Sequence, residues 1–285
     1  ALLALLLRSA GGCAWLDAKQ RQLIYRPTPG EPAGFAGLRN GDERFFRTVA
    51  QPSGQTIEGA PSTERIEMWW MPHPDTTAPT LLYLHGTFRN LPQNLQKINA
   101  LREAGFAVLA VDYRGWGQST PITPSEQTIL HDADLAWAEL AQREPRAHQR
   151  VIYGHSMGSG VAVDLASRLR VGTDYGAVIL ESALTSFDGV AREAGFIAWL
   201  LSAFNKERFD SITKIAKVQA PVLMIHGSAD KTVPLTLGEK LFAAANAPKQ
   251  WLPIEGGGHS NLHQMGAAQY QAAVQNFKNL YVLGR

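Results

Sequence analysis

Three residues of this chain have the types and settings that nucleophilic catalysis by a hydroxyl requires: Ser156, Asp230 and His259. A serine hydroxyl is a poor nucleophile at neutral pH and needs a base beside it. A histidine can take that proton and later return it to a leaving group. An aspartate can hold the imidazole in one tautomer and stabilise its protonated form. Ser156 sits in Gly154-His155-Ser156-Met157-Gly158, after the apolar run Val151-Ile152-Tyr153 and before Ser159-Gly160-Val161-Ala162-Val163, which reads as a helix start. A sharp strand-to-helix turn holds such a serine in a strained backbone conformation, and flanking glycines avoid collisions with neighbouring segments. Asp230 follows the run Val222 to Ile225 through His226-Gly227-Ser228-Ala229, and His259 follows Gln250 to Ile254 through Glu255-Gly256-Gly257-Gly258.

Taken singly, each residue has an ordinary explanation: a capping serine, a turn aspartate before Lys231-Thr232-Val233-Pro234, a histidine in a flexible glycine loop. Taken together at three separate strand ends, they read as a catalytic set. Other histidines compete for the base. His263 falls in the next helix, His155 points away from the serine by its place in the turn, and His131 and His148 lie in helical or loop contexts. Glu181 and Asp188, after the run Ala177 to Leu180, are the alternative acids. Negative charge developing on a substrate oxygen needs preorganised donors. Leu84-His85-Gly86-Thr87-Phe88 supplies them: the backbone N–H groups of Thr87 and Met157 are the expected pair, with Phe88 replacing Thr87 if the loop is offset by one. Asp112-Tyr113-Arg114-Gly115-Trp116-Gly117-Gln118-Ser119 reads as a structural loop buttressing the turn at Ser156.

Alternating apolar runs and helical patterns must position these groups. Strands are expected at Phe45 to Val49, Ile66 to Met71, Thr80 to Leu84, Ala107 to Val111, Val151 to Tyr153, Ala177 to Leu180, Val222 to Ile225 and Gln250 to Ile254. Helices are expected at Leu91 to Ala104, Glu126 to Gln142, Val161 to Leu169, Leu237 to Ala245 and Ala267 to Leu280. Continuous apolar strands separated by helices predict an α/β fold with a parallel sheet covered on both faces, and ligands bind such sheets beyond the carboxyl ends of the strands. Between Ser186 and Pro221 the chain is too short for a separate lid domain and predicts a short helical cap over about 187–215. Phe196, Trp199, Leu200 and Phe204 recur there at helical spacing. They read as an apolar wall for an acyl chain together with Phe88 and Met157, or as the packing face of an amphipathic helix.

Composition narrows the function classes. The 285 residues are 45% hydrophobic and 18% charged, enough for one large core over 44–285. A net charge of +2, with no basic stripe interleaved with aromatics, gives nucleic-acid binding no support. The single cysteine, Cys13, rules out an intrachain disulfide, and no Cys/His cluster suggests a metal. Seven apolar residues, Ala1 to Leu7, are too few to span a bilayer but fit the tail of a signal-peptide apolar region, placing a remnant at 1–12. Ala10-Gly11-Gly12-Cys13 is similar to a bacterial lipobox, although Arg8 intrudes and Ala10 stands where leucine is more usual. The expectation is a cell-envelope protein lipidated on Cys13 and so associated with the membrane; an idle thiol on an amphipathic helix, in a cytoplasmic protein, is the other reading. Residues 13–43 form a Pro/Gly-rich arm.

His-Gly-Thr at 85–87, Asp-Tyr-Arg-Gly-Trp-Gly-Gln-Ser at 112–119, Gly-His-Ser-Met-Gly at 154–158, His-Gly-Ser-Ala-Asp at 226–230 and Gly-Gly-Gly-His at 256–259 resemble the α/β-hydrolase superfamily, in which the order Ser, Asp, His is usual. Glu181 to Ser186 and Phe209-Asp210-Ser211-Ile212 make the chain look most like the small-cap serine hydrolases related to the yeast and fission-yeast Bem46 proteins. The resemblance covers about 44 to 280. It implies a mostly parallel central sheet of about eight strands with helices on both faces, no cofactor, and a small-molecule ester as substrate. The subgroup includes esterases, monoacylglycerol and lysophospholipid lipases and depalmitoylating thioesterases. A serine at position 156 argues against dehalogenases and dienelactone hydrolases, which use Asp or Cys there. The expected activity is cleavage of short- to medium-chain carboxylic esters or monoacyl lipids. A thioesterase or acyltransferase on the same residues, and a non-catalytic envelope-anchored binding protein, are the alternatives.

Overall fold

The computed structural model describes residues 17–50, 63–195 and 206–284. Eight strands form one sheet: β1 (Glu43–Val49), β2 (Glu64–Met71), β3 (Thr80–Leu84), β4 (Ala107–Asp112), β5 (Arg150–His155), β6 (Ala177–Glu181), β7 (Val222–Gly227) and β8 (Lys249–Ile254). Their spatial order is β1-β2-β4-β3-β5-β6-β7-β8. The first two strands pair antiparallel, and β2 meets β4 antiparallel. From β4 across to β8 all pairs are parallel. The intervening segments include α1 (Leu91–Glu103), α2 (Glu126–Arg143), α3 (Met157–Arg168), α4 (Phe187–Glu193), α5 (Leu235–Ala244) and α6 (Ala267–Lys278).

The central strands are apolar throughout because both faces are covered. Successive side chains point to opposite faces. Leu82, Leu84, Leu109, Val111, Ile152 and Leu180 therefore join Ile129 and Ala133 of α2 and Val161 and Leu165 of α3 in one buried core. Leu81, Tyr83, Val108, Ala110, Tyr153 and Ile179 join Leu91 and Ile98 of α1 and Tyr270, Val274 and Phe277 of α6 in the other.

After β3 the chain goes to β4 on one side and then crosses to β5 on the other, so the order reverses between β3 and β5. Outside the carboxyl ends of strands at such a reversal lies the crevice where open α/β sheets bind ligands. Leu84 and Gly154 are register partners there, which sets the loop beginning at His85 beside the turn at Ser156.

One expected boundary differs by more than two residues. The helix after β5 begins at Met157, not Val161. Glycine costs about 1 kcal/mol in a helix interior relative to alanine, so Gly158 and Gly160 argue locally against helix. Packing overrides this. A Cβ at Gly158 would lie 2.1 Å from the Leu84 carbonyl oxygen, and one at Gly160 would lie 2.8 Å from the Phe209 Cβ. Only glycine lets α3 start this close to the sheet.

The Asp112–Ser119 loop spends its polar groups internally. The Asp112 carboxylate accepts from the Leu91 N–H at 3.0 Å, at the start of α1. The Ser119 hydroxyl donates to the Asp112 carbonyl at 2.5 Å, and the Gln118 N–H donates to Glu67 at 2.8 Å. The arm is bound to this loop: the Gly30 N–H donates to the Gly117 carbonyl at 2.7 Å, and the Gly117 N–H donates to the Thr28 carbonyl at 3.0 Å. Residues 17–25 are helical. Tyr25 at their end is fully buried against Trp116 and Phe209 and donates to Glu207.

Candidate active site

Ser156 occupies the turn between β5 and α3 with φ 55° and ψ −123°, a conformation that costs a non-glycine residue about 1–3 kcal/mol. Several bonds hold it there. Its N–H donates to the Glu181 carbonyl at 3.0 Å. Its own carbonyl accepts from the Ser159 N–H at 2.8 Å and the Ser159 hydroxyl at 2.6 Å. Gly154 is obligatory beneath it, since a Cβ would stand 2.2 Å from the Gly158 carbonyl oxygen.

The structure brings Ser156, His259 and Asp230 into line. The Ser156 hydroxyl is 2.9 Å from His259 Nε2, and His259 Nδ1 is 2.8 Å from Asp230 Oδ2. The other carboxylate oxygen of Asp230 accepts from the N–H groups of Thr232 and Val233, both at 2.9 Å. Burial pushes the Asp230 carboxyl up, but His259 and these backbone donors outweigh it and hold it below its ordinary value. Both loops are pinned from behind. His155 Nε2–H and the Ser182 hydroxyl donate to the His259 carbonyl at 2.9 and 3.0 Å. His226 Nε2–H donates to the Val233 carbonyl at 2.8 Å.

The rival residues lie elsewhere. Glu181 is wholly buried and pairs with Lys97 of α1 at 2.5 Å, while also accepting from Tyr153 at 2.6 Å and Tyr270 at 3.1 Å. Burial raises the Glu181 carboxyl, but the Lys97 charge and these bonds hold it below the usual carboxylate range. Asp188 pairs with Arg192 one turn along α4. His131 is exposed on α2, and His148 precedes β5, at the opposite edge of the sheet. His263 falls in the short helical turn Leu262–Met265 and does not bond to Ser156.

Thr87, Phe88 and Met157 border a cavity of about 380 Å³ that opens beside Ser156. Among the described residues, the backbone N–H groups of Thr87 and Phe88 donate to no protein acceptor. That of Met157 lies in the first turn of α3, where no intrahelical acceptor exists. Phe88 adopts φ 73° and lies under the Arg26 guanidinium, 4.7 Å from its ring centre. The cavity walls are apolar: Leu23 and Ile24 of the arm, Leu184, and Phe187 and Val190 of α4. Phe196, Trp199, Leu200 and Phe204 lie outside the described residues, as does Cys13.

Sequence reasoning passed over three groups: the arm residues in the cavity wall, the Lys97–Glu181 pair, and His155 as a brace for the His259 loop. A signal existed for Lys97. It occupies the Asn94, Lys97, Leu101 stripe of α1, whose three members are all buried, so a cation on that face needed a carboxylate partner.

The buried histidines carry a pH prediction. Burial, aided by the Lys97 and His259 charges, pushes His155 well below its ordinary value. Burial pushes His226 down too, against the Val233 carbonyl and Asp230. Unfolded histidines titrate near ~6.5, so below that pH the unfolded chain binds more protons than the folded one. Stability is then complete above that value and lost as pH falls, by up to about 1.4 kcal/mol per pH unit for each group. The urea unfolding midpoint is expected to drop between neutral pH and the top of the carboxylate range. A flat or rising midpoint would contradict this.

Comparisons with known proteins agree with the architecture. The family profile described as "Serine aminopeptidase, S33" matches residues 76–209, a span that holds Ser156 but neither Asp230 nor His259. An uncharacterised protein of Mycobacterium tuberculosis strain H37Rv is 32% identical over 275 residues, 95% of this chain and 91% of that protein. The lysophosphatidylserine lipase ABHD12 of Danio rerio is 34% identical over 197 residues, 64% of this chain and 51% of that protein. Among solved structures, the Pyrococcus furiosus esterase Pf2001 aligns with a TM-score of 0.67 at 15% identity, covering 90% of this chain and 98% of that one.

Proposed function

The chain belongs to the α/β-hydrolase superfamily, and from that premise we propose that it is a serine hydrolase cleaving carboxylic esters of short- to medium-chain acids or monoacyl lipids. The observation that carries this reading is the unbroken hydrogen-bonded line from Ser156 through His259 to Asp230 at the mouth of an apolar cavity. His259 Nε2 takes the hydroxyl proton as Ser156 Oγ attacks the ester carbonyl carbon. The N–H groups of Thr87 and Met157 stabilise the oxyanion; loss of one such donor typically costs about 100- to 1,000-fold in rate. His259 then protonates the leaving alcohol, and in the second half it activates the water that releases the acid. Asp230 keeps the Nδ1–H tautomer and balances the imidazolium. The acyl chain occupies the cavity walled by Leu23, Ile24, Phe187 and Val190, whose volume falls within the range of small-ligand sites. The name of one relative, a lysophosphatidylserine lipase, supports an ester substrate.

The experiment pairs an activity-based probe with a substrate panel. A fluorophosphonate is expected to label Ser156, and p-nitrophenyl esters are expected to be cleaved with an optimum at short to medium chain length. Val190→Trp, which fills the cavity, is expected to shift that optimum to shorter acyl groups. Absence of both labelling and hydrolysis would overturn the assignment. Cleavage of acyl thioesters in preference to matched esters would move it to a thioesterase.

For the cellular address, we propose anchoring at the envelope through a lipidated Cys13. The native protein is then expected to partition into detergent and Cys13→Ser to remain in the aqueous phase. A wild-type protein found wholly in the aqueous phase would overturn this.

A further inference from the structure

A second cavity, of about 630 Å³, opens on the other side of His259. It shares Thr87, Phe88 and Thr232 with the apolar cavity, so the two meet at the reacting pair. Its character is different. Arg89, Gln93, Asn94, Lys97, His155 and His263 contribute to its lining, and no described Asp or Glu does. The Lys97 charge is answered by Glu181 behind the wall. The Arg89 side chain has no hydrogen-bond or ion-pair partner among the described residues and stands exposed on the loop after β3. His263 also borders the space, but both of its ring nitrogens are shielded from it and from solvent.

The chemistry says what belongs there. His259 lines this cavity and not the apolar one. In the acylation step the Ser156 Oγ–acyl carbon bond forms, the acyl carbon–alcohol oxygen bond breaks, and the serine proton passes through His259 Nε2 to the departing oxygen. The alcohol therefore lies on the His259 side, opposite the acyl chain. We propose that this cavity is a leaving-group subsite for an alcohol that carries an anion, a phosphate or a carboxylate, with Arg89 pairing to the anion. The anion itself is unchanged in the reaction. This inference rests on the serine-hydrolase reading and narrows its substrate class.

The test uses hexanoyl esters of glycerol, glycerol 3-phosphate and glycerate, which share one acyl chain and stay monomeric in water, with the full chain at low salt. The readout is the ratio of kcat/KM for each anionic ester to that for the neutral one, which cancels any general loss in a variant. The wild-type ratio is expected to be about tenfold or more, the size of one charge-assisted hydrogen bond. It is expected to fall toward one in Arg89→Gln, below one in Arg89→Glu, and to be partly retained in Arg89→Lys. Preference in the phosphate arm or in the carboxylate arm identifies the anion and supports the subsite. A wild-type ratio of one or less, or a ratio that Arg89→Gln and Arg89→Glu leave unaltered, overturns it. If no ester is cleaved and the fluorophosphonate does not label Ser156, the hydrolase reading fails and the subsite with it; cleavage of all three esters at equal efficiency sinks the subsite alone.

Discussion

His259→Ala is expected to lower kcat on a p-nitrophenyl ester by about 10,000- to 1,000,000-fold, and Ser156→Ala by a similar factor. The reason is geometric. His259 Nε2 is the only basic atom bonded to the Ser156 hydroxyl among the described residues, and its other nitrogen is committed to Asp230. Without it the hydroxyl must ionise unaided. Because the two residues act as one unit, the double variant is expected to be no slower than Ser156→Ala alone. His131→Ala, on the exposed surface of α2, serves as the control and is expected to retain activity. Asp230→Asn should cost about 10,000-fold while leaving the fold intact, since an amide favours the wrong imidazole tautomer. A His259→Ala enzyme within tenfold of wild type would mean that another group is the base.

The largest stability effect is expected at Glu181. Its carboxylate answers Lys97 and accepts from two tyrosine hydroxyls, all of them buried. Glu181→Leu strands a buried ammonium and two buried O–H donors. Breaking a buried pair in this way typically costs about 3–5 kcal/mol, which in a chain of this size lowers Tm by about 10 °C. Removing both charges behaves differently, because the desolvation penalty of each ion disappears with it. Lys97→Met combined with Glu181→Leu is therefore expected to recover in calorimetry the part of the loss due to the stranded ammonium, leaving that of the two unpaired tyrosine hydroxyls, and a double variant as unstable as Glu181→Leu would refute this account. The pair lies directly under the reacting groups, since the Glu181 carbonyl accepts from the Ser156 N–H. Variants here should therefore be compared per folded molecule.

Much of this site is written locally. A hydroxyl held at a strand end needs glycine where its neighbours press in, and Gly154 and Gly158 advertise that requirement before any tertiary contact is known. Asp230 and His259 are legible for the same reason: each follows an apolar run long enough to be a buried strand, so each must emerge at the same edge of a parallel sheet. What escaped was set by contacts distant in sequence. The start of α3 was misjudged because glycine propensity is local and the close approach to Leu84 and Phe209 is not. Lys97 and Glu181 are 84 residues apart, and neither segment alone says that the other will neutralise it. Leu23 and Ile24 look like an incidental apolar pair in a proline-rich arm; only the folded chain turns them into a wall of the cavity.

That last feature separates two properties that are usually discussed together. The Ser156–His259–Asp230 line is built wholly from loops that follow β5, β7 and β8, whereas part of the wall of the proposed acyl cavity comes from a segment upstream of the sheet altogether. Changes between residues 17 and 25 could thus retune which fatty acid is accepted without touching the machinery that breaks the bond. Conversely, a trimmed protein beginning at β1 would carry a competent nucleophile in an open trough, reactive toward small activated esters yet poor at telling one chain length from the next.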